Sequence, residues 1–229
     1  MSGSVVWRVR DRLRFRAAPT LENDALYAVA GGVNSATNLH AIDAFSGDVR
    51  WTRPAEASSA PCTVEGAPLV AGDVVVLAVR DRKGLRLAAF DREDGRPRWS
   101  TRGAVAPIGT SWLVVDDRLV GNSPSGELLA FDTRSGELAY RQLLGTALDT
   151  DVPRRLEPVL RSGALFVPFS DVHVIRPRDG ASLGAIAPCD VIPDLMRVDE
   201  QCNVYVAEES GHVAAFGCGP RLSLVARQD

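Results

Sequence analysis

The chain is predicted to fold as an all-β propeller of about five four-stranded blades, on three observations. First, the stretch Leu39-His-Ala-Ile-Asp-Ala-Phe-Ser-Gly-Asp-Val-Arg-Trp51 recurs from Leu87 to Trp99 and from Leu128 to Tyr140. In each copy an Asp stands four residues before a Gly, and an aromatic residue stands four residues after it. Second, the aspartates Asp43, Asp91 and Asp132 are spaced 48 and 41 residues apart, and a period in the forties marks a propeller blade among other repeating units. Third, the interior of each repeat reads as short β runs divided by turn residues, with no helical period sustained over a dozen positions. Helical repeats of similar length are thereby excluded, and four-stranded blades remain.

Taken in order, Pro19–Asp24 and the β-rich run Leu26–Ala30 precede the first Asp, and Pro68–Asp73 and Val74–Val79 precede the second. The third copy has Trp112–Asp117 and Leu119-Val120 upstream. Two weaker copies follow. In the fourth, Val174-Ile175-Arg176 replaces Ala-Ile-Asp and Gly180 holds the Gly position, after Pro158–Gly163 and Leu165–Val167. In the fifth, Met196–Asp199 and Val204–Ala207 lead to Ala215-Phe216-Gly217, but the turn beyond has degenerated to Cys218-Gly-Pro-Arg221. The repeats are expected at about 8–51, 52–99, 100–140, 141–186 and 187–229, within one domain spanning 1–229, with Leu222–Val225 as the final strand. Gly3–Trp7 matches the spacing of Gly47–Trp51, so it is expected to be the outer strand of a preceding or closing blade. Either first and last strands overlap to close a five-bladed ring, or the chain belongs to a larger one.

The turn has a physical rationale. An Asp that opens Asp-x-x-Ser/Asp-Gly can accept hydrogen bonds from the N–H groups of its own turn. The Gly supplies a positive φ that returns the next strand with a bulge. Trp51, Trp99 and Tyr140 are expected to cover their own sheet and pack on the next. Asp43, Asp91 and Asp132 are therefore read as turn residues rather than as acids or bases.

Composition bounds the rest. With 229 residues, 45% hydrophobic and 24% charged, the chain can bury a sizeable core. The net charge of −3 gives no footing for a nucleic-acid partner. Every basic residue but Lys83 is an arginine. No stretch approaches the ~18 consecutive apolar residues of a membrane span, and the first residues lack the apolar core of a signal peptide. A cytoplasmic location is expected from the chain as written, and a periplasmic one if it is a piece of an exported protein. Cys62, Cys189, Cys202 and Cys218 show no zinc-like spacing. They read as buried thiols, with a Cys202–Cys218 cross-strand disulfide as the alternative if the chain turns back at 209–211.

The remaining candidates favour structural readings. His40 and His173 share one repeat position, and His212 lies two before it, which predicts no converging metal site. No Gly-x-Ser-x-Gly elbow is present, and Gly31-Gly32 leads into no helix that could cradle a phosphate. The run Arg8–Arg16 reads as a strand with one solvated face. Gly31–Asn38, Thr52–Glu65 and Arg141–Arg155 are the long loops, and loops on a repeat scaffold are where binding usually lives.

The motif Leu-x-Ala-Ile/Phe-Asp-x-x-Ser/Asp-Gly-x-x-x-Trp resembles the pyrroloquinoline-quinone-like (PQQ-like) propeller repeat. The resemblance spans the chain and implies the fold. It leaves function open, since such repeats occur in quinoprotein alcohol dehydrogenases, outer-membrane assembly lipoproteins and sensor regions. The dehydrogenases imply an eight-bladed ring, an adjacent Cys-Cys pair and a calcium or lanthanide site. This sequence has no Cys-Cys, and no carboxylate and Asn cluster maps onto that metal site. The expectation is a non-catalytic scaffold for protein–protein interaction or assembly through its rim loops, with no cofactor, metal or catalytic residue. The alternative is a small-molecule sensor or enzymatic module using the central channel.

Overall fold

A computed structural model describes residues 3–9, 14–15, 17–31, 36–55, 62–82, 84–101, 105–107, 109–145, 157–186, 193–208 and 210–217. Among these the only regular elements are strands, in antiparallel sheets. The chain divides into two compact units. One comprises Met1–Ile108, Asp116–Leu119 and Phe131–Leu138, and the other Gly109–Val115, Val120–Ala130 and Ala139–Asp229.

The first sheet contains β1 (Arg14–Phe15), β2 (Thr20–Glu22), β3 (Ala25–Gly31), β4 (Asn38–Asp43) and β5 (Val49–Pro54). β1 and β2 both pair with β3, so they act as one interrupted strand. The second sheet runs β6 (Thr63–Ala71), β7 (Val74–Asp81), β8 (Gly84–Asp91) and β9 (Pro97–Ser100). Here β6 is continuous, but its register shifts between Glu65 and Leu69. Pro19 precedes β2 and Pro68 lies within that shift, places where a residue without an N–H is tolerated. Between the sheets Tyr27, Val29, Leu39 and Trp51 pack with Val75, Leu77 and Val79. Residues Val74–Val79 are buried on both faces of β7, as expected of a sheet covered on each side.

The third sheet, β10 (Ser111–Val115), β11 (Arg118–Asn122), β12 (Glu127–Asp132) and β13 (Leu138–Leu143), contributes residues to both units. The fourth runs β14 (Val159–Arg161), β15 (Ala164–Pro168), β16 (Val172–Ile175) and β17 (Ser182–Ile186). Within the second unit, Val115, Val120, Leu128 and Ala130 pack with Leu165, Val167 and Ile175. The fifth sheet has three described strands, β18 (Leu195–Val198), β19 (Val204–Ala207) and β20 (Val213–Phe216). Its Met196, Val198, Val204 and Val206 pack with Ala164, Phe166, Val172 and Val174 of the fourth.

The first turn of each repeat is tight because a residue there accepts positive φ. Asn23 (53°), Asp116 (51°) and Ser162 (49°) do so, as Gly72 does at 58°. These conformations match the mirror-image turns that suit the twist of a hairpin. The bulges expected after the Asp turns are present as register shifts at Ala41/Ile42, Ala89/Phe90 and Val174/Ile175.

Residues 3–9 are in no ladder among the described residues. One expectation needs refining. Cys202 belongs to the turn before β19, at φ 65°, rather than to a strand. Its disulfide with Cys218, and the strand Leu222–Val225, lie outside the described residues.

Candidate functional site

The turn carboxylates act on their own backbone. One oxygen of Asp43 accepts the N–H groups of Phe45 and Ser46, each at 2.9 Å. Asp91 does the same for Glu93 (2.8 Å) and Asp94 (3.2 Å), and Asp132 for Arg134 (3.0 Å) and Ser135 (2.9 Å). The second oxygen meets an arginine that also reaches the acid of the preceding turn. Arg50 lies 2.7 Å from Asp43 and 2.6 Å from Asp24. Arg98 lies 3.5 Å from Asp91 and 2.7 Å from Asp73, and Arg118 lies 3.0 Å from both Asp132 and Asp117. In the fourth repeat Arg176 replaces the Asp, yet the backbone bonds from Gly180 N–H to Arg176 O (2.9 Å) and Arg176 N–H to Ala181 O (2.8 Å) keep the turn.

The Arg50 guanidinium, followed by the Ser46 and Phe45 N–H groups, holds the Asp43 carboxyl below the usual carboxylate range. Asp91 is lowered chiefly by the Glu93 N–H, and Asp132 by that of Ser135. Carboxylates held this way are poor proton carriers at neutral pH. Because the folded values lie below the unfolded one, their stabilisation is complete above about pH 5 and is lost progressively as pH falls through the folded values. The urea midpoint should therefore drop between pH 5 and pH 2.5. Asp43→Asn should flatten part of that drop, and an unchanged pH profile would refute the assignment.

The aromatic residues close the geometry. Trp7 Nε1 donates to Ala44 O at 2.9 Å, Trp51 Nε1 to Arg92 O at 3.3 Å, and Trp99 Nε1 to Thr133 O at 2.9 Å. Tyr140 donates its hydroxyl proton to Pro177 O at 2.9 Å. Each acceptor directly follows the turn-opening position of the next repeat. Each ring lies on that turn's glycine. A Cβ at Gly47 would sit 2.8 Å from Trp7, one at Gly95 2.6 Å from Trp51, and one at Gly180 2.8 Å from Tyr140; at Gly136 it would meet Trp99. The glycine thus serves the turn and admits the ring. Trp7 makes the same contact as Trp51, Trp99 and Tyr140, although residues 3–9 form no described ladder.

The histidines stay apart from any shared site. His40 is buried, with Nδ1 2.9 Å from Thr52 Oγ1. His173 is half-buried in β16, and burial holds its imidazole below the ordinary range. His212 is exposed, 3.1 Å from Glu208. Among the described residues no three His, Cys, Asp or Glu side chains gather where a metal could sit. No helix there is long and apolar enough to cross a membrane. Of the run Arg8–Arg16, only Arg8, Val9, Arg14 and Phe15 are described, and most of the three long loops lies outside the described residues.

Sequence reasoning missed the exposed apolar residues Val5, Val6 and Phe45. Val5 and Val6 are 68% and 83% exposed next to Trp7, and Phe45 is 75% exposed two residues before Gly47. A regular outer-strand reading of residues 3–7 hides this, since such positions alternate between covered and free. The signal available was Phe45 itself, a large apolar residue where the other two strong copies carry Glu93 and Arg134.

Sheets of four antiparallel strands, tied by an aromatic residue on the next repeat's glycine, define a β-propeller of the PQQ-like repeat class. The chain belongs to the family described as outer membrane protein assembly factor BamB, whose model matches residues 1–102 and 76–187. Among solved structures it is similar to BamB from Moraxella catarrhalis, at 18% identity and TM-score 0.68 over 93% of this chain and 64% of that one. It is also similar to quinohemoprotein alcohol dehydrogenase from Comamonas testosteroni, at 13% identity and TM-score 0.55 over 82% of this chain and 43% of that one. A europium-containing methanol dehydrogenase matches at 16% identity and TM-score 0.53, over 73% and 40%. This chain thus spans less than two thirds of each structure. No curated protein matches the sequence. The likenesses to solved structures are of fold alone.

Proposed function

We propose that this chain is a non-catalytic propeller scaffold for assembling proteins, working as one domain. The observation that carries the reading is the use of the repeated ionisable groups. Asp43, Asp91 and Asp132, with Arg50, Arg98 and Arg118, are held in turns and ion pairs, while the apolar residues Val5, Val6 and Phe45 are exposed. Exposed apolar groups beside a rigid turn suit a protein partner. Membership of an outer membrane protein assembly family supports partners drawn from that process. It also supports the periplasmic alternative, and lends nothing to the cytoplasmic one.

The test is affinity capture from the host's envelope extract with the tagged chain. Defined partner proteins should be recovered, and a Val6→Asp, Phe45→Asp double variant should recover at least tenfold less at an unchanged urea midpoint. Equal capture by both proteins would remove these residues from the proposal. Failure to capture any partner, together with turnover of alcohols by the purified chain given pyrroloquinoline quinone and calcium, would replace the scaffold with the enzymatic alternative.

A further inference from the structure

We propose that the fifth sheet, β18–β20, is a detachable unit that opens from the fourth sheet as one piece while the remainder of the fold stays closed. Four observations lead there. In repeats one to three, and at Trp7, an aromatic residue is seated on the next repeat's turn glycine. At the fourth-to-fifth junction that position is Gly184, four residues after Gly180, and a Cβ there would touch nothing within 4 Å. The aromatic half of the clamp is therefore missing from this junction among the described residues.

The other faces tell the same story. Interior strands β3, β7 and β15 are buried almost throughout. In β18–β20 burial alternates: Met196, Val198, Val204 and Val206 are covered, whereas Leu195 (60%), Tyr205 (42%) and Val213 (74%) are exposed. Leu195, Ala207 and Val213 stand in one register row across the sheet, so a whole face is open. Among the described residues the sheet meets the fourth through one apolar face, with polar contacts at its margin. Arg161 donates to Val198 O at 3.3 Å, and Cys202 Sγ to Ser162 Oγ at 3.3 Å. A sheet packed on one side, without the clamp used at four other places, is the place where a sub-global opening costs least. Opening would uncover Ala164, Phe166, Val172 and Val174 of the fourth sheet, so the motion switches an apolar surface between hidden and accessible.

Native-state hydrogen exchange of the full chain in low urea reads this directly. The amides of Arg197, Val204, Tyr205 and Val206 should be protected at least tenfold less than those of Leu165, Phe166 and Val174. They should share one urea dependence, as a unit that opens together does. Equal protection of the two groups, or separate urea dependences within the fifth sheet, would overturn the proposal. A staple provides the second readout. In Ser162→Cys, oxidation onto Cys202 ties the two turns together. It should bring the fifth sheet to the protection of the fourth, and reduction should reverse the change. An oxidised staple that leaves the difference intact would place the opening within β18–β20 rather than at the junction, and would also overturn it.

Discussion

Gly95→Ala should destabilise the protein by about 3 kcal/mol, although it adds a single methyl group. Two costs combine. Gly95 has φ +72°, a left-handed conformation that costs an L-residue about 1–2 kcal/mol. Its Cβ would also lie 2.6 Å from Trp51 Cε3 and 2.7 Å from Cδ2, and forced overpacking of this kind costs ~1–3 kcal/mol. Arg53, whose side chain is 2.9 Å from the same point and donates to Asp94 O at 2.9 Å, limits how far the ring can retreat. Gly163 separates the two costs. It has nearly the same φ, +75°, but a Cβ there meets nothing within 4 Å. Gly163→Ala should therefore cost only the conformational part, about 1–2 kcal/mol. Urea unfolding followed by circular dichroism measures both, and equal losses at the two sites would show that the ring contact contributes nothing.

This pairing explains which parts of the molecule were legible in the sequence. The Asp, Gly and aromatic positions stood out because each meets several demands, which leaves one residue type per place. Asp43 caps two N–H groups and pairs with Arg50, and Gly47 must accept positive φ and also admit Trp7. The arginine partners were less visible. Arg50 and Arg98 directly precede the aromatic, but in the third repeat the arginine comes from position 118, on a different strand. A guanidinium on a long stem can reach the same pair of carboxylates from more than one strand, so geometry is kept while spacing is not. Cys202 misled for a related reason. Its turn, closed by Cys202 N–H to Asp199 O at 3.1 Å, is longer than the other four, and a longer turn moves a residue out of the neighbouring strand. The exposed apolar residues left the weakest trace, because solvent-facing positions accept almost any side chain and so carry no repeat. The fold of a repeat protein is written in its constrained positions, and its exposed positions carry little of it.

Trp51→Ala is expected to have the largest effect, a loss of about 3–5 kcal/mol, the range for removing a large buried aromatic side chain. Trp51 is 8% exposed and belongs to the core formed by the first two sheets, and its ring stands 6.1 Å from that of Tyr27. Its Nε1 also donates to Arg92 O. Trp51→Phe keeps a ring on Gly95 and loses that donor, so it should lose less: about 1 kcal/mol for the hydrogen bond, plus part of the lost area. The decisive measurement is the cycle joining both predictions. If the glycine is there to admit the ring, Gly95→Ala should become cheaper once the ring is gone, falling to the ~1–2 kcal/mol of backbone strain. The double variant Trp51→Ala, Gly95→Ala should then be more stable than the sum of its single losses predicts, by about 1–2 kcal/mol, within the coupling range of residues in direct contact. Additive losses would mean that tryptophan and glycine are selected separately, one for burial and one for the turn. Coupled losses would mean that the unit repeated along this chain is the contact between consecutive sheets, with the turn as its receiving half.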